Sequence, residues 1–501
     1  MRAIRQAFLH IRCVIKANGS WTICMKFFTV VAIATMLLLF GRDSSAQEVS
    51  CPQEDDAAFV MTMQEVRDGR LQGTGKVYAA DPSSDLPAML SQLRAGDTLL
   101  FNDGIYPETI DLANLHGLAG NYITLAAAPG AHPVFHGGKL TDFSADRAIP
   151  NGPVMVRMAD CSYVRLTGLS IAHAYGQSAC GISVEPGCHH LVVDRCNLEE
   201  IRVPEPEVED HCANGFLLLG DSAEKSIEHI FLYQNTVRNC ATGWSEGISV
   251  AGHVAQVTVE ENLIDNTGNI GIDFAGNYGY CKDPAKDFPV NCRAVGNTVR
   301  NCRSKYATSY GLYADGAQCI EFRENKITAC SGGIEIGAEE PQKSSRYATQ
   351  NILVIDNQIS DCPEACITIG GYETKLGWVK NVEVTGNICK NERTDPEGAM
   401  LILSKCQDIR IEDNIFESGS GNTLFVRSEM RPKWTKNISF RGNNYRVPNQ
   451  AEDAVFQLAG EEYVGFPAWQ KAFGEHDHIR RSTSRGRWRI WRKGKREERT
   501  S

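Results

Sequence analysis

Hydrophobic and polar residues alternate in short stretches along most of the chain. One kind of stretch has an apolar residue at every second position, as in residues 257–260 (Val-Thr-Val-Glu) and 320–323 (Ile-Glu-Phe-Arg). A second kind follows a glycine or another small residue, as in 247–250 (Gly-Ile-Ser-Val) and 333–336 (Gly-Ile-Glu-Ile). A period of two bounded by Gly and Asn predicts β-strands, and no stretch between them is long and periodic enough to form a crossover helix.

A phrase built around asparagine recurs between these strands, as in 235–240 (Asn-Thr-Val-Arg-Asn-Cys). Its first residues are Asn235, Asn262, Asn297, Asn325, Asn357, Asn387 and Asn414, which are 27, 35, 28, 32, 30 and 27 residues apart. Such a period predicts stacked repeats that bury their apolar faces against one another. With two strand-like stretches and no helix in each repeat, the sequence predicts an all-β fold, a right-handed single-stranded parallel β-helix.

The repeated Asn and Cys residues are interpreted first as parts of this architecture. Asn tolerates the left-handed backbone of a corner and can form a ladder with the Asn of the next coil. Cys240, Cys302, Cys330 and Cys362 occupy one place in their repeats, where reduced thiols pack like small hydrophobic groups. Metal binding is the alternative, but the clusters of ligands that metal sites need do not stand out in the sequence.

The two ends of the chain differ from the repeats. Residues 27–40 are apolar, follow Lys26 and precede Ser-Ser-Ala, which predicts a signal peptide over residues 1–46 and secretion or a periplasmic location. Met25 resembles its natural beginning, which would make residues 1–24 an over-extended start; an uncleaved anchor is the alternative reading, although the run is short for a membrane span. We expect a lead-in segment at 47–75, the β-helix at 76–478 and a basic, disordered tail at 479–501.

A short amphipathic helix is predicted within residues 84–96, which begin with a capping residue and end with Gly. It would cover the open end of the solenoid.

The net charge limits the possible binding partners, and the cysteine content bears on possible disulfides. The net charge is −10, and the last 22 residues hold ten Arg or Lys and two Glu, so the remainder carries −18. An acidic body argues against nucleic acid as a partner, although the basic tail could touch a polyanion. Export permits disulfides; Cys281 and Cys292, which bracket a polar excursion, are the best candidates, and Cys362 with Cys366 is a second possible pair. The oligomeric state is open.

A family resemblance follows from the opening 96–101 (Gly-Asp-Thr-Leu-Leu-Phe), the Asn and Gly-Ile repeats, and the closing 466–474 (Phe-Pro-Ala-Trp-Gln-Lys-Ala-Phe-Gly). Together they resemble bacterial exported right-handed β-helix proteins of the pectate-lyase-like superfamily, over residues 76–478. The resemblance implies a polysaccharide or oligosaccharide substrate, handled by a hydrolase, a lyase or an epimerase.

Three acidic residues are the catalytic candidates. Side chains alternate faces along a strand, so Ser249, Asp273, Tyr313, Glu335 and Thr368 should form one outward column in successive coils. Asp315, two residues after Tyr313, points outward as well. Coil spacing places the Cα atoms of Asp315 and Glu335 about 8 Å apart, a distance suited to the paired carboxyls of glycoside hydrolysis. The alternative is that these acids are only the solvated face of a sheet.

Residues 311–315 (Gly-Leu-Tyr-Ala-Asp), followed by residues 334–336 (Ile-Glu-Ile), are similar to a motif of the β-helix xylosidases. That similarity implies Asp315 as nucleophile and Glu335 as acid/base. The residues flanking Asp315 and following Glu335 differ from the family pattern.

Other side chains could bind the substrate or a cation. The aromatic candidates for sugar stacking are Trp244, Tyr278, Tyr310, Tyr313, Tyr372 and Trp378, with Tyr280 beside them and His253 as a spare proton carrier. Glu339 and Glu340 are candidate calcium ligands, although no cofactor is required by hydrolysis.

Three functions remain open. A glycoside hydrolase needs the paired carboxyls, whereas a calcium-assisted lyase or epimerase on uronate polymers needs a basic residue, and none occupies the outward column. A non-catalytic carbohydrate-binding solenoid would need neither. We expect hydrolysis.

Overall fold

The computed structural model describes residue 51 and residues 56–107, 109–138, 152–203, 211–340, 345–371, 377–391, 398–419, 424–428, 432–448, 454–473 and 477–481. Within them the chain winds through three sheets in turn, one strand of each sheet per coil. The predicted signal peptide, residues 47–50 and 52–55 of the lead-in segment, and most of the basic tail lie outside the described residues. No described helix is long and apolar enough to cross a membrane.

The first sheet has thirteen strands, all paired in parallel. They are β1 (Val77–Ala80), β2 (Thr98–Phe101), β5 (Ile123–Ala127), β8 (Val164–Thr167), β11 (His189–Asp194), β14 (Ile227–Tyr233), β17 (Val254–Glu260), β20 (Val290–Val295), β23 (Gln318–Arg323), β26 (Thr349–Ile355), β29 (Val379–Thr385), β32 (Cys406–Glu412) and β35 (Thr435–Arg441). These strands correspond to the alternating stretches that precede each repeated Asn.

The second sheet is built from the short strands after each repeated Asn. They are β3 (Gly104–Tyr106), β6 (Pro133–His136), β9 (Ser170–Tyr175), β12 (Asn197–Arg202), β15 (Thr236–Cys240), β18 (Leu263–Thr267), β21 (Thr298–Arg300), β24 (Lys326–Thr328), β27 (Gln358–Ser360), β30 (Ile388–Asn391), β33 (Ile415–Ser418), β36 (Asn444–Val447) and β39 (His478–Arg481). The expectation of two strands per repeat was therefore wrong, because each coil has three.

The third sheet contains the Gly-Ile stretches. Its strands are β4 (Ile110–Asp111), β7 (Val154–Met158), β10 (Ala179–Val184), β13 (Ala213–Gly220), β16 (Ile248–Gly252), β19 (Ile272–Ala275), β22 (Tyr310–Asp315), β25 (Gly332–Gly337), β28 (Ala365–Ile369), β31 (Ala399–Leu403), β34 (Leu424–Ser428), β37 (Val455–Leu458) and β38 (Glu461–Val464). β37 and β38 pair antiparallel, and the remaining pairs of this sheet are parallel. The predicted right-handed parallel β-helix is confirmed.

Apolar side chains from the three sheets meet in one continuous core. In β16 the side chains of Ile248 and Val250 enter that core, whereas Ser249 between them does not. Strict alternation therefore decides which residues of the third sheet can act on its outer surface.

A ladder of asparagines runs along the corner between the first and second sheets. The Asn357 side-chain amide donates to Phe322 O and to Asn387 Oδ1, each at 2.9 Å, and the Asn357 backbone N–H donates to the same Oδ1. The ladder was predicted, and the predicted left-handed backbone is found at the second Asn of the repeated phrase, as at Asn239 (φ 55°), but not at the ladder Asn itself. At the ladder corner the left-handed residue is the one before each Asn, as at Glu324 (φ 55°) and Asp356 (φ 55°), while the Asn side chain closes the corner.

Helices close both ends of the core. α2 (Leu86–Gln92) is the predicted capping helix; the Asp85 side chain accepts the Ala88 N–H, and Leu86 is buried. At the other end α3 (Phe466–Ala472) packs the fully buried Trp469 on Phe456, with ring centroids 4.5 Å apart. Two short 3₁₀ turns, Ser345–Tyr347 and Pro432–Trp434, complete the elements.

A further helix, α1 (Ala57–Arg67), lies in the segment expected only to lead into the fold. Its residues Phe59, Met63 and Val66 pack with Phe231 and Tyr233 on the outer face of the first sheet. Sequence reasoning missed this helix because its apolar residues, which include the exposed Val60 and Met61, are not confined to one face, and no repeat surrounds it.

The cysteines of the described residues are free thiols. Cys240, Cys302, Cys330 and Cys362 are buried, as predicted for a packing role, and Thr267 takes the equivalent position in the coil between Cys240 and Cys302. The expected Cys281–Cys292 disulfide is wrong: both thiols are free, because the Cys292 side chain faces the core from β20 while Cys281 lies in the loop that follows β19. Cys362 and Cys366 are free as well.

Candidate active site

Strand register brings the predicted column together on the outer face of the third sheet. Ser249 pairs with Asp273, Asp273 with Tyr313, Tyr313 with Glu335 and Glu335 with Thr368. Asp315 pairs with Ala275, two residues beyond Asp273 on the adjacent strand. The acids that are far apart in sequence are therefore neighbours on one surface.

These carboxyls are not on a solvated face. The exposed fractions of Asp273, Asp315 and Glu335 are 5%, 1% and 2%. Loops after β15, β19 and β25 contribute residues to the same region, including Glu246, Tyr278 and Glu339. Sequence alternation could predict the outward direction of these acids but not their coverage by loops from other coils.

Asp315 is held by two donors. The Tyr278 hydroxyl donates to Asp315 Oδ2 at 2.5 Å, and the Glu339 backbone N–H donates to Asp315 Oδ1 at 2.9 Å. Burial, followed by the charge of Glu339, raises the pKa of Asp315 to about 7, while both hydrogen bonds favour its charged form. The Glu339 carboxylate accepts a hydrogen bond from the Tyr313 hydroxyl at 3.2 Å, and it lies at the same distance from the Tyr278 hydroxyl, whose single proton is directed to Asp315.

Asp273 lies in a different environment. Its Oδ1 is buried and makes no hydrogen bond to the described residues. Burial, then the charges of Glu246 and Asp315, raise the pKa of Asp273 well above its usual range. Burial and neighbouring charges therefore favour the protonated form of Asp273, which lies beside Asp315, a second carboxyl whose pKa is raised to about 7.

Glu246 is a fourth acid that sequence reasoning missed. It precedes β16 instead of lying in the outward column, so alternation gave no reason to select it. Ser245 Oγ donates to Glu246 Oε2 at 3.2 Å, and burial raises the pKa of Glu246 to about 7. The available signal was only its position just before a Gly-Ile stretch.

Glu335 occupies the predicted outward column but does not line the groove in front of the other acids. The Tyr310 ring lies against Gly332 and the Tyr313 ring against Gly337, where a side chain would collide with each ring. Glu335 is between these two glycines on β25, its Oε1 is buried with no hydrogen bond to the described residues, and burial raises its pKa well above the usual range.

The space in front of these acids is a groove of about 530 Å³, which we call the acidic groove. Its wall includes Asn214, Trp244, Glu246, Ser249, Asn269, Asp273, Tyr278, Tyr280, Tyr313, Asp315 and Glu339. Glu335 does not line it. The described residues of the wall include no lysine and no arginine, so no basic side chain there offsets the four carboxyls.

Four of the seven predicted aromatic residues reach the acidic groove. Trp244, Tyr278 and Tyr280 are 37%, 39% and 42% exposed at its wall, and Trp244 stacks on Tyr306 with centroids 5.1 Å apart. Tyr313, which is almost fully buried, also lines the groove.

The remaining binding candidates lie elsewhere. The Tyr310 hydroxyl is buried against Thr368 Oγ1 at 2.8 Å, the Trp378 ring contacts Lys405 and Lys436, and His253 Nδ1 bonds to Ser222 O at 2.8 Å. Tyr372 lies outside the described residues. His253, Tyr310 and Trp378 do not line the acidic groove, and their part in saccharide binding stays a prediction.

Glu339 and Glu340 stay a prediction as calcium ligands. Glu339 lines the acidic groove, and Glu340 is exposed beside it. Among the described residues, one group of three His, Cys, Asp or Glu side chains brings its ligand atoms within 4.8 Å of one another, and it consists of Asp56, His190 and His229 on another sheet.

The residues that match a known protein family are those of the repeated coils. A family model described as "Right handed beta helix region" matches residues 154–339 and 288–451. The uncharacterized protein YwoF of Bacillus subtilis (strain 168) is 27% identical over 391 residues, covering 75% of this chain and 79% of that protein. The matched family residues include every coil that forms the acidic groove.

Two solved structures illustrate similar folds. The GH136 lacto-N-biosidase from Eubacterium ramulus has a TM-score of 0.49 at 13% identity, covering 84% of this chain and 69% of that chain. A mannuronic acid specific polysaccharide family 6 lyase from human gut microbiota has a TM-score of 0.44 at 14% identity, covering 82% of this chain and 92% of that chain.

Proposed function

The chain belongs to the right-handed β-helix family, and we propose that its acidic groove hydrolyses glycosidic bonds of a neutral saccharide, with Asp273 and Asp315 as the paired carboxyls. The observation that carries this proposal is the contrast between the two acids. Both are buried in one groove on adjacent coils, yet Asp315 has two hydrogen-bond donors and Asp273 Oδ1 has no partner among the described residues.

The spacing of these acids suits the reaction. Adjacent coils are about 4.8 Å apart and two residues along a strand add about 6.8 Å, so their Cα atoms are about 8 Å apart. Side chains that converge from such positions fall in the range of roughly 5 to 9.5 Å that glycosidases use between carboxyls. Asp315 with Glu335 has the same backbone spacing, but Glu335 is shut off from the groove by Tyr310 and Tyr313.

Their environments separate the roles. Asp273 is the general acid, because burial and neighbouring charges favour its protonated form and its side chain lines the acidic groove. Asp315 acts on the anomeric carbon, since its two donors stabilise the carboxylate. Direct attack would retain the anomeric configuration and activation of a water would invert it, so the configuration of the first product distinguishes the two routes.

Charge supports a neutral substrate. A uronate carries one carboxylate per sugar, and the described wall of the acidic groove presents four carboxyls without a lysine or arginine to neutralise it. The exposed rings of Trp244, Tyr278 and Tyr280 offer apolar faces for neutral sugar rings. This arrangement gives hydrolysis more support than elimination on a uronate polymer.

The test uses the purified full chain with a panel of neutral and uronic polysaccharides, following new reducing ends and the ultraviolet absorbance of unsaturated products in parallel. We expect reducing ends from a neutral substrate without unsaturated products. Asp315→Asn and Asp273→Asn should each lower the rate roughly 100-fold or more.

Asp361→Asn is the matched control, because it removes an exposed acid that does not line the acidic groove, at a left-handed position (φ 55°) that Asn tolerates. It should keep most of the activity. Unsaturated products would establish elimination instead, and saccharide binding without any new ends would indicate a binding module. Full activity in Asp315→Asn would disprove the assigned chemistry.

A further inference from the structure

The N-terminus of α1 meets the first sheet through one carboxylate. Asp56 caps the helix, and its Oδ1 accepts the backbone N–H groups of Ala58 and Phe59 at 2.8 and 3.1 Å. Its Oδ2 is thereby turned towards the sheet, 3.2 Å from His190 Nε2. The helix cap therefore fixes the direction of one oxygen that the cap itself does not use.

Two histidines occupy an unusual corner of the coils. His190 in β11 and His229 in β14 hold equivalent register positions, because Leu191 pairs with Ile230. Both are left-handed, with φ of 55° and 54°, and their rings lie 4.5 Å apart. The same corner is left-handed in later coils, where the residues are Gln256, Asn291, Cys319, Asn351, Asn381, Asp408 and Asn437.

The imidazoles of His190 and His229 face Asp56. In later coils the residue at the equivalent position is most often Asn. The ligand atoms of Asp56, His190 and His229 lie within 4.8 Å of one another. The His229 ring makes no hydrogen bond to the described residues, whereas stacking on His190 and an edge contact with Phe59 hold it in place. One carboxylate and two imidazoles that converge in this way form a donor set suited to zinc and neighbouring transition metals.

A fourth side chain can select the metal-binding tautomer. His189 Nδ1 lies 2.9 Å from His190 Nδ1, so one of these nitrogens donates to the other. When His190 Nδ1–H donates, His190 Nε2 carries the lone pair and faces Asp56. Such a hydrogen bond to the remote nitrogen is how proteins orient histidine ligands.

We propose that Asp56, His190 and His229 bind one divalent transition-metal ion of the zinc class on the outer face of the first sheet, with solvent completing its coordination. The Asp56 side chain is 38% exposed and that of His190 12%, so the ion has access from the side of Asp56. The bound ion links the start of α1 to two successive coils. It thereby holds the helix whose Phe59, Met63 and Val66 cover that face.

The test is zinc binding by the untagged full chain after treatment with a chelator, measured as metal content after dialysis and by calorimetric titration. We expect one tight site per chain and a rise in Tm when zinc is added, because binding to the folded state alone stabilises it. His190→Asn and His229→Asn should weaken binding roughly 100-fold or more, since each removes a ligand.

The variants are chosen so that folding is preserved. Asn is the residue that this corner carries in later coils, as at Asn291 and Asn351, and Asp56→Ser keeps a helix-capping oxygen while withdrawing the ligand. His173→Asn is the matched control, because His173 is also left-handed (φ 60°) but bonds to Tyr175 on the second sheet.

Retention of zinc binding in His229→Asn, or equal loss in His173→Asn, would overturn the proposal. So would the lack of a stoichiometric site in the unmodified chain. In that case Tyr163, His190 and His229 form only a stack of rings beneath α1.

Discussion

Glu339 is the neighbour whose charge most raises the pKa of Asp315, after burial itself. Replacing it as Glu339→Gln removes that charge and retains an amide oxygen that can accept from Tyr313. Ionisation of Asp315 becomes easier, so its pKa falls. We expect the acidic limb of the kcat/KM profile to move to lower pH by roughly one unit.

Glu340→Gln is the control for this shift, since its charge is the last contributor to the raised pKa of Asp315. Its acidic limb should move less than that of Glu339→Gln. A shift to higher pH in Glu339→Gln would contradict the coupling between these two carboxyls.

At the scale of single residues, the alternation of apolar and polar positions was sufficient to predict which side chains point outward from the sheet. Ser249, Asp273 and Glu335 were expected in one outward column, and their register confirms it. Alternation could not predict that Glu335 would be enclosed by Tyr310 and Tyr313. The enclosure arises because the Tyr310 ring lies against Gly332 and the Tyr313 ring against Gly337, on either side of Glu335 in the sequence.

Among the elements of the fold, the asparagine ladder is the one whose stability can be tested most directly. Asn357 is fully buried, donates to Phe322 O and Asn387 Oδ1, and accepts from the backbone and side chain of Asn325. Asn357→Ala leaves buried donors and acceptors without partners. We expect the free energy of unfolding to fall by about 2–4 kcal/mol, measured by urea denaturation with circular dichroism.

Gln358→Ala is the matched control for the ladder. Gln358 is the next residue in the chain and is exposed, so its truncation should change the free energy of unfolding by no more than about 0.5 kcal/mol. Equal effects of the two substitutions would show that the ladder adds nothing specific to the corner.

Element prediction failed where the signal was short or isolated. The strands of the second sheet include Thr298–Arg300, Lys326–Thr328 and Gln358–Ser360, which are three residues each and too short to display alternation. α1 is isolated in a different sense, because the side chains that pack on it, among them Phe231 and Tyr233, are distant in sequence. The repeat period itself was enough to predict the stacked coils.

Across the whole molecule, sites form from segments that the coils bring together. The acidic groove combines a predicted column with loops after three strands, and the cluster on the first sheet joins Asp56 to His190 and His229. A repeat pattern shows which residues of equivalent strands are stacked. It does not show which loop or helix covers them, so Glu246 and the histidine cluster required the structure.

Burial of several acids in one groove also makes the stability of the whole molecule depend on pH. Asp273, Asp315 and Glu246 have pKa values raised by burial, so in the folded state they remain protonated at a pH where the unfolded chain has released the protons. Their contribution to stability is fully present below the unfolded pKa of about 4 and is lost as pH rises through the folded values. We expect Tm to decline between about pH 4 and pH 8 for this reason.

The comparison of Asp273→Asn with the unmodified chain isolates this contribution. Asn resembles the protonated carboxyl in shape and cannot ionise, so the variant should show a smaller decline in Tm over the same range and should be the more stable protein at the alkaline end. Asp361→Asn is the control, since Asp361 is exposed and left-handed (φ 55°), a conformation that Asn also tolerates. Parallel Tm curves for Asp273→Asn and the unmodified chain would mean that Asp273 ionises as readily in the folded groove as in the unfolded chain, and Asp273 could then not serve as the acid of the proposed pair.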